Sequence, residues 1–189
     1  MLGDLQVGGP LLAVRFTELE ENGWVLIVRA TAKLLKLVGR QSAGDGERGT
    51  TLLGQWYATA LFWRPRVVLL VNESTLLPVL MPLAPAATLP VRVADEVATV
   101  LRAHRAPQAF VDAEVGRMRD CRLGVTVNRS VVGVMVEFAR LAEIYRAEPH
   151  PDLLGLALRL ATTPCSPLYG RNISPDRELA AVLSAATAA

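Results

Sequence analysis

Gln55–Asn72 reads QWYATALFWRPRVVLLVN, and the fold turns on how this stretch is parsed. Two apolar runs rich in aromatic and β-branched residues, Gln55–Trp63 and Val67–Asn72, flank Arg64-Pro65-Arg66. Proline presets the backbone angle that the second residue of a turn needs, so the stretch predicts a β-hairpin. Upstream, Val25–Ala30 (VLIVRA) is a short β-branched run and predicts a strand. Thr31 can cap the turn after this strand, and Lys33–Val38 supplies at most two helical turns. Gln41–Thr51 (QSAGDGERGTT) reads as a flexible surface loop. Its glycines do not make a phosphate-binding loop, because no Gly-Lys-Ser/Thr comes after them.

Downstream of the hairpin, Thr75–Leu83 predicts a short helix cut off by Pro82 and Pro85, and Pro85–Pro90 a linker. Val91–Arg105 is amphipathic, with Val93, Val97, Val100, Leu101 and His104 on one face. A shorter helix is expected over Gln108–Met118 and a strand over Arg122–Val127. The helical period is clearest from Ser130 to Arg146, where Val131, Val134, Met135, Phe138, Leu141, Ala142 and Tyr145 form one stripe. Asp152–Ala161 is another helix, and Ser174-Pro175 opens the last with a capping residue followed by proline at the first helical position. This order predicts an α+β fold, with a small, mostly antiparallel sheet of about four strands against several helices in two layers.

The chain of 189 residues suits a single domain over residues 25–189, helical from about residue 150. Residues 1–24 read as an N-terminal extension, as from a start codon assigned too far upstream; Val25 can be encoded by GTG. No basic segment precedes the apolar patch Val7–Val14, which argues against a secretory signal. Hydrophobic residues make up 51%, yet the longest apolar runs are too short and too proline-broken to span a bilayer. Lys33 and Lys36 are the sole lysines among 20 basic residues, a bias expected of a GC-rich bacterial genome. A formal charge of +2 provides no whole-molecule field for nucleic acid or membrane. Cys121 and Cys165 build no disulfide framework, no Cys/His spacing suggests a metal, and no cofactor motif is present, so a cytoplasmic setting is expected.

Asn128-Arg129-Ser130 stands where a strand hands over to the long helix. Unpaired backbone N–H groups and the helix dipole favour an anion there, with Arg129 as a donor fork, Ser130 as a hydroxyl and Lys33 as a further cation. The simpler reading makes Asn128 or Ser130 the helix cap and pairs Arg129 with an acid. Asn72, Glu73 and Thr75 end a strand, where Glu73 could act as a general base and turn formation explains the other two. Trp56, Tyr57 and Trp63 are surface-aromatic candidates beside Arg64 and Arg66, of the kind that stacks on bases. Alternation puts Trp56 and Phe62 on one face and Tyr57 and Trp63 on the other, so at least one face is core. Cys165, between prolines, would need His104 or His150 as a base to act as a nucleophile, and neither is well placed.

Four of these local patterns recur together: Thr31-x-Lys33-Leu34-Leu35, Leu53-Gly54-x-Trp56-Tyr57-Ala58, Asn72-x-x-Thr75-Leu76 and Asn128-Arg129-Ser130-Val131. In that order they resemble a family of small bacterial proteins known only as a domain of unknown function. The resemblance runs from about Val25 to about Tyr145, with a looser likeness through Thr163-Pro164-Cys165. It departs at Val71, where threonine is expected, and at Val132, where leucine is usual. The likeness implies a fold and attaches no reaction, cofactor or partner to it. The sequence therefore reads first as a non-enzymatic binding, interaction or regulatory module, associating with itself or another protein. An enzyme acting on a phosphorylated or nucleotide-like substrate is the alternative, and a nucleic-acid-binding hairpin the third. The enzyme reading requires Arg129, Lys33 and Glu73 to share one pocket.

Overall fold

In the computed structural model, residues 23–39, 42–147 and 152–188 are described; the proposed extension before Gly23, and His150, lie outside them. Five strands form one sheet: β1 Val25–Ala30, β2 Trp56–Leu61, β3 Val67–Asn72, β4 Pro78–Pro82 and β5 Asp120–Val125. Six α-helices surround it among the described residues: α1 Ala32–Val38, α2 Leu89–Ala103, α3 Gln108–Gly116, α4 Arg129–Tyr145, α5 Leu153–Ala161 and α6 Pro175–Ala188. None is long and apolar enough to cross a membrane.

The strand order is β4-β3-β2-β1-β5. The hairpin forms as predicted, with Trp56 opposite Asn72 and Leu61 opposite Val67. The α+β class holds, but the sheet is mixed and has five strands rather than four. β1 lies parallel to both β2 and β5, whereas β2, β3 and β4 form an antiparallel meander. The segment expected to be a short helix instead supplies β4. Its prolines stand at the two ends of an edge strand, where a missing N–H costs no ladder bond.

Every residue of β1, β2 and β3 is buried, so the sheet is covered on both faces and the fold is not two-layered. α4 packs on the face that carries Tyr57, Thr59 and Leu61. α2 reaches both edge strands, β4 and β5, and so crosses the opposite face. α5 lies against β4 and meets both α4 and α2, closing that edge.

The Gly-rich loop is not a loose excursion, because residues 42–50 form a strap across the sheet. Ser42 and Ala43 donate their N–H groups to Leu123 O on the outer edge of β5 (2.8 and 2.9 Å). At the far end Thr50 N donates to Val25 O (2.9 Å), and Val25 N donates to Thr50 Oγ1 (2.8 Å). Beneath the strap lies Arg29, 1% exposed. Its guanidinium donates to the carbonyls of Gly44 (2.9 Å), Asp45 (3.2 Å) and Glu47, and its Nε to Gln55 Oε1 (2.9 Å). Arg122 ties the strap down from outside through Glu47 (2.6 Å), while also pairing with Asp120 (2.8 Å).

On α3, buried Glu114 accepts the backbone N–H groups of Leu52 (2.5 Å) and Leu53 (3.3 Å). Burial outweighs these bonds and pushes its carboxyl up to about 7. The folded state thus holds this proton more tightly than the unfolded chain does. The resulting stabilisation is fully present below pH 4.5 and is lost as pH rises through about 7. Urea titrations should show a Glu114-dependent decline on the order of 3 kcal/mol across that window. The decline should be absent in Glu114→Gln; equal pH slopes in the two proteins would refute the assignment.

Candidate ligand groove and its polar anchor

The chain leaves β3 through Asn72, whose side chain organises the turn into β4. Its Oδ1 accepts from Ser74 N (3.0 Å), Thr75 N (2.9 Å) and Thr75 Oγ1 (3.0 Å). Its Nδ2 donates to Leu53 O (3.0 Å) and Gln55 O (3.3 Å), tying the turn to the approach to β2. The tight turn holds Leu76 at φ 58°, a left-handed conformation that costs energy in a branched side chain.

Glu73 then projects to where β2 and α4 begin. Oε2 accepts from Gln55 Nε2 (3.0 Å), and Oε1 accepts from Tyr57 Oη (3.2 Å) and Asn128 Nδ2 (3.1 Å). The Tyr57 hydroxyl also accepts from Asn128 N (3.2 Å). Burial, reinforced by the Glu73 charge, pushes this phenol up to about 12, so it stays protonated and donates. Asn128 is the N-cap of α4, its Oδ1 accepting from Ser130 N (3.0 Å) and Val131 N (3.4 Å). A half-buried carboxylate held by three neutral donors is a clamp, joining the β3–β4 turn, β2 and the start of α4.

From this anchor α4 runs over the sheet, and between Val132 and its C-terminal end it flanks an open space at the carboxyl ends of β1 and β2. The groove left there has a volume of about 800 Å³. Leu61 at the end of β2 and Phe62 and Trp63 just after it contribute to its lining, and α4 contributes Val132, Met135, Val136, Ala139 and Ile144. The hydroxyls of Thr31 and Thr59, 3.0 Å apart, satisfy each other among the lining residues. Phe62, Val136 and Ile144 are 60%, 59% and 64% exposed, an apolar grouping that a monomer's surface seldom carries without use. Lys33, Arg140, Glu143 and Arg146 complete the lining. Glu143 accepts from Arg146 (2.5 Å), whose guanidinium lies 4.9 Å over the Trp63 ring. Lys33 and Arg140 have no carboxylate partner among the described residues.

The residues singled out from the sequence distribute unevenly. Asn128, Glu73, Asn72 and Thr75 join one hydrogen-bonded network. Arg129 and Ser130 are exposed and line a different cavity, beside Cys165 and Tyr169. Lys33 lines the groove, and Glu73 opens onto a third cavity with Arg29, Gln55 and Ser74. The convergence of Arg129, Lys33 and Glu73 that the enzyme reading requires therefore does not occur. Trp56 and Tyr57 are 0% exposed and are corrected from surface to core, because both sheet faces are covered. Trp63 is half-buried. Burial pushes the Cys165 thiol up to about 11, far from a reactive thiolate, and His104 lines a separate cavity. No group of three His, Cys, Asp or Glu side chains among the described residues is placed to hold a metal.

Sequence reasoning missed the groove. The available signal was a second apolar line on α4, Val132, Val136 and Ala139, beside the buried stripe of Val131, Val134, Met135 and Phe138. A helix that needs only one core face has no use for two.

No curated protein and no solved structure matches the chain. The family described as Domain of unknown function (DUF6933) matches residues 27–178. All four recurring patterns lie in that span: three meet at the Glu73 clamp, and the fourth supplies Thr31 and Lys33 to the groove. The chain belongs to the DUF6933 family, the kind of family that those patterns resembled.

Proposed function

We propose that the protein is a non-enzymatic binding module whose ligand lies in the groove between α4 and the carboxyl ends of β1 and β2. The gathering of exposed Phe62, Val136 and Ile144 around about 800 Å³ of open volume carries this reading. That volume is of ligand size, and open α/β sheets take ligands outside the carboxyl ends of parallel strands. The polar side chains best suited to chemistry are occupied instead with holding the fold. Glu73 is engaged by Gln55, Tyr57 and Asn128, and Arg29 by the strap.

The test uses a neutral environment-sensitive dye, N-phenyl-1-naphthylamine, with the whole native chain. One dye molecule should bind per chain. Ala139→Trp, which fills the groove from a half-buried position, should weaken binding by about tenfold or more while leaving the unfolding midpoint near wild type. Dye binding that survives Ala139→Trp, or no binding at all, would remove the groove as the site.

A further inference from the structure

We infer that the ligand of this groove is a free single-chain amphiphile with one anionic head, a carboxylate or phosphate on an unbranched apolar tail. The inference rests on the groove being the binding site and adds the class of molecule. The lining holds two kinds of side chain: Leu61, Met135, Val136 and Ala139 are apolar, and the charged groups are Lys33, Arg140, Arg146 and Glu143. Arg146 is engaged by Glu143, which leaves Lys33 and Arg140 as cations without a carboxylate partner among the described residues. Lys33 Nζ lies 5.8 Å from the Phe62 ring centroid, so a cation stands directly against the exposed apolar wall. An apolar tail in the groove would bring an anionic head to these two cations, and charge-assisted bonds of this kind are the stronger ones.

The same charges disfavour other occupants. In a twofold contact between copies the groove face would meet itself, gathering both copies' Lys33 and Arg140 in one interface whose lining carboxylate, Glu143, is already engaged by Arg146. A wholly apolar ligand would gain nothing from the cations. An extended polyanion would find mostly carbon in the lining and a chain of net charge only +2.

The experiment displaces bound N-phenyl-1-naphthylamine with decanoate, decanol or decyltrimethylammonium, each below its micellar concentration. Decanoate should displace the dye at about tenfold lower concentration than the cationic analogue, a preference that shrinks with added salt. In Lys33→Gln/Arg140→Gln the preference should fall to about twofold or less while decanol still competes. Equal displacement by all three would overturn the head-group inference and leave the groove standing as an apolar site. Failure of the dye to bind the wild-type chain would overturn both. Sedimentation with phosphatidylglycerol vesicles that free decanoate cannot compete away would replace the free amphiphile with a membrane surface, and so also overturn it.

Discussion

Arg29→Met is expected to lower the unfolding free energy by about 3 kcal/mol and to loosen the strap before the rest of the fold. Methionine keeps much of the stem's volume, so the loss falls on the guanidinium. A buried ion pair can often be replaced by carbon at little cost, because the desolvation of two charges is recovered. Arg29 is a different case: its partners are three backbone carbonyls and the Gln55 amide, and these remain polar when the arginine is gone. Amide exchange should therefore accelerate at Ser42, Ala43 and Thr50, whose bonds to Leu123 and Val25 pin the strap, ahead of any change in β2 or β3. Unchanged exchange at those three amides, together with a neutral urea midpoint, would mean that the strap is held by its ends alone.

The fixed guanidinium is also the reason that position 124 is glycine. A Cβ there would stand 2.7 Å from Arg29 Nη1 and 3.4 Å from both Arg29 Cδ and Ala43 Cβ. The end of a long side chain can usually move aside, but this one is held by four partners. Gly124→Ala should thus cost about 1–3 kcal/mol in the wild type. It should cost appreciably less in the Arg29→Met background, where the crowding atoms are a flexible thioether. Additive costs in that double-mutant cycle would leave the glycine to be explained by something other than Arg29.

Arg29 shows where sequence reading reaches its limit. In VLIVRA it looks like the one polar position of a half-exposed strand, and nothing local says that a loop from the next connection will cover it. The signal was present in another form: a lone arginine closing an apolar strand, and a Gly-rich segment soon after that needs donors for its carbonyls. Local elements were legible for the same reason that the strap was not. The hairpin, α4 and the Asn128 junction depend on periodicity and capping within a few residues, and they lie where the sequence puts them, within a residue or two. β4 depends on β3 already being in place. LPVLMPL has no strand alternation and two prolines, and it becomes a strand only because the Asn72 turn folds it back along an exposed edge. The parallel pairing of β1 with β2 and β5 likewise comes from crossover connections, which local patterning does not encode.

The site divides the same way. Asn72, Glu73, Thr75 and Asn128 each stood out at a strand end or helix start, with turn and cap roles that the structure assigns to Asn72, Thr75 and Asn128. Their meeting in one network required the order of β2 and β3 and the placement of α4 over them. Arg129 and Ser130 point elsewhere because Asn128, not Ser130, turns inward to cap the helix and reach Glu73.

Asn72→Asp should be among the most damaging single-atom changes this fold can suffer, at about 3 kcal/mol or more near neutral pH. The substitution keeps an oxygen for Ser74 N, Thr75 N and Thr75 Oγ1, so the turn's acceptor survives. What it replaces is the donor: a carboxylate oxygen would face Leu53 O and Gln55 O at a position that is 0% exposed. Burial and the two facing carbonyls together raise the pKa of the introduced acid. With the folded-state pKa above the unfolded one, stability held by the protonated form is present at low pH and lost as pH rises. The gap between wild type and variant should therefore narrow as pH falls towards the unfolded carboxyl's range, because a protonated Asp regains one donor for Leu53 or Gln55. Asn72→Ala removes donor and acceptor together and should show no such recovery. The damage should also reach the groove. Without the Asn72 ties to Leu53 and Gln55 the left-handed turn at Leu76 keeps only its own bonds, Leu76 N to Asn72 O (3.1 Å), Asn72 N to Leu77 O (3.0 Å) and Leu77 N to Thr75 Oγ1 (3.2 Å). Glu73 then loses part of the footing from which it holds Tyr57 and Asn128. Dye binding in the groove along α4 should then weaken in Asn72→Asp even under conditions where the chain remains folded. A pH-independent gap with undiminished dye binding would mean that the turn and the groove are separate structures that happen to share a sheet.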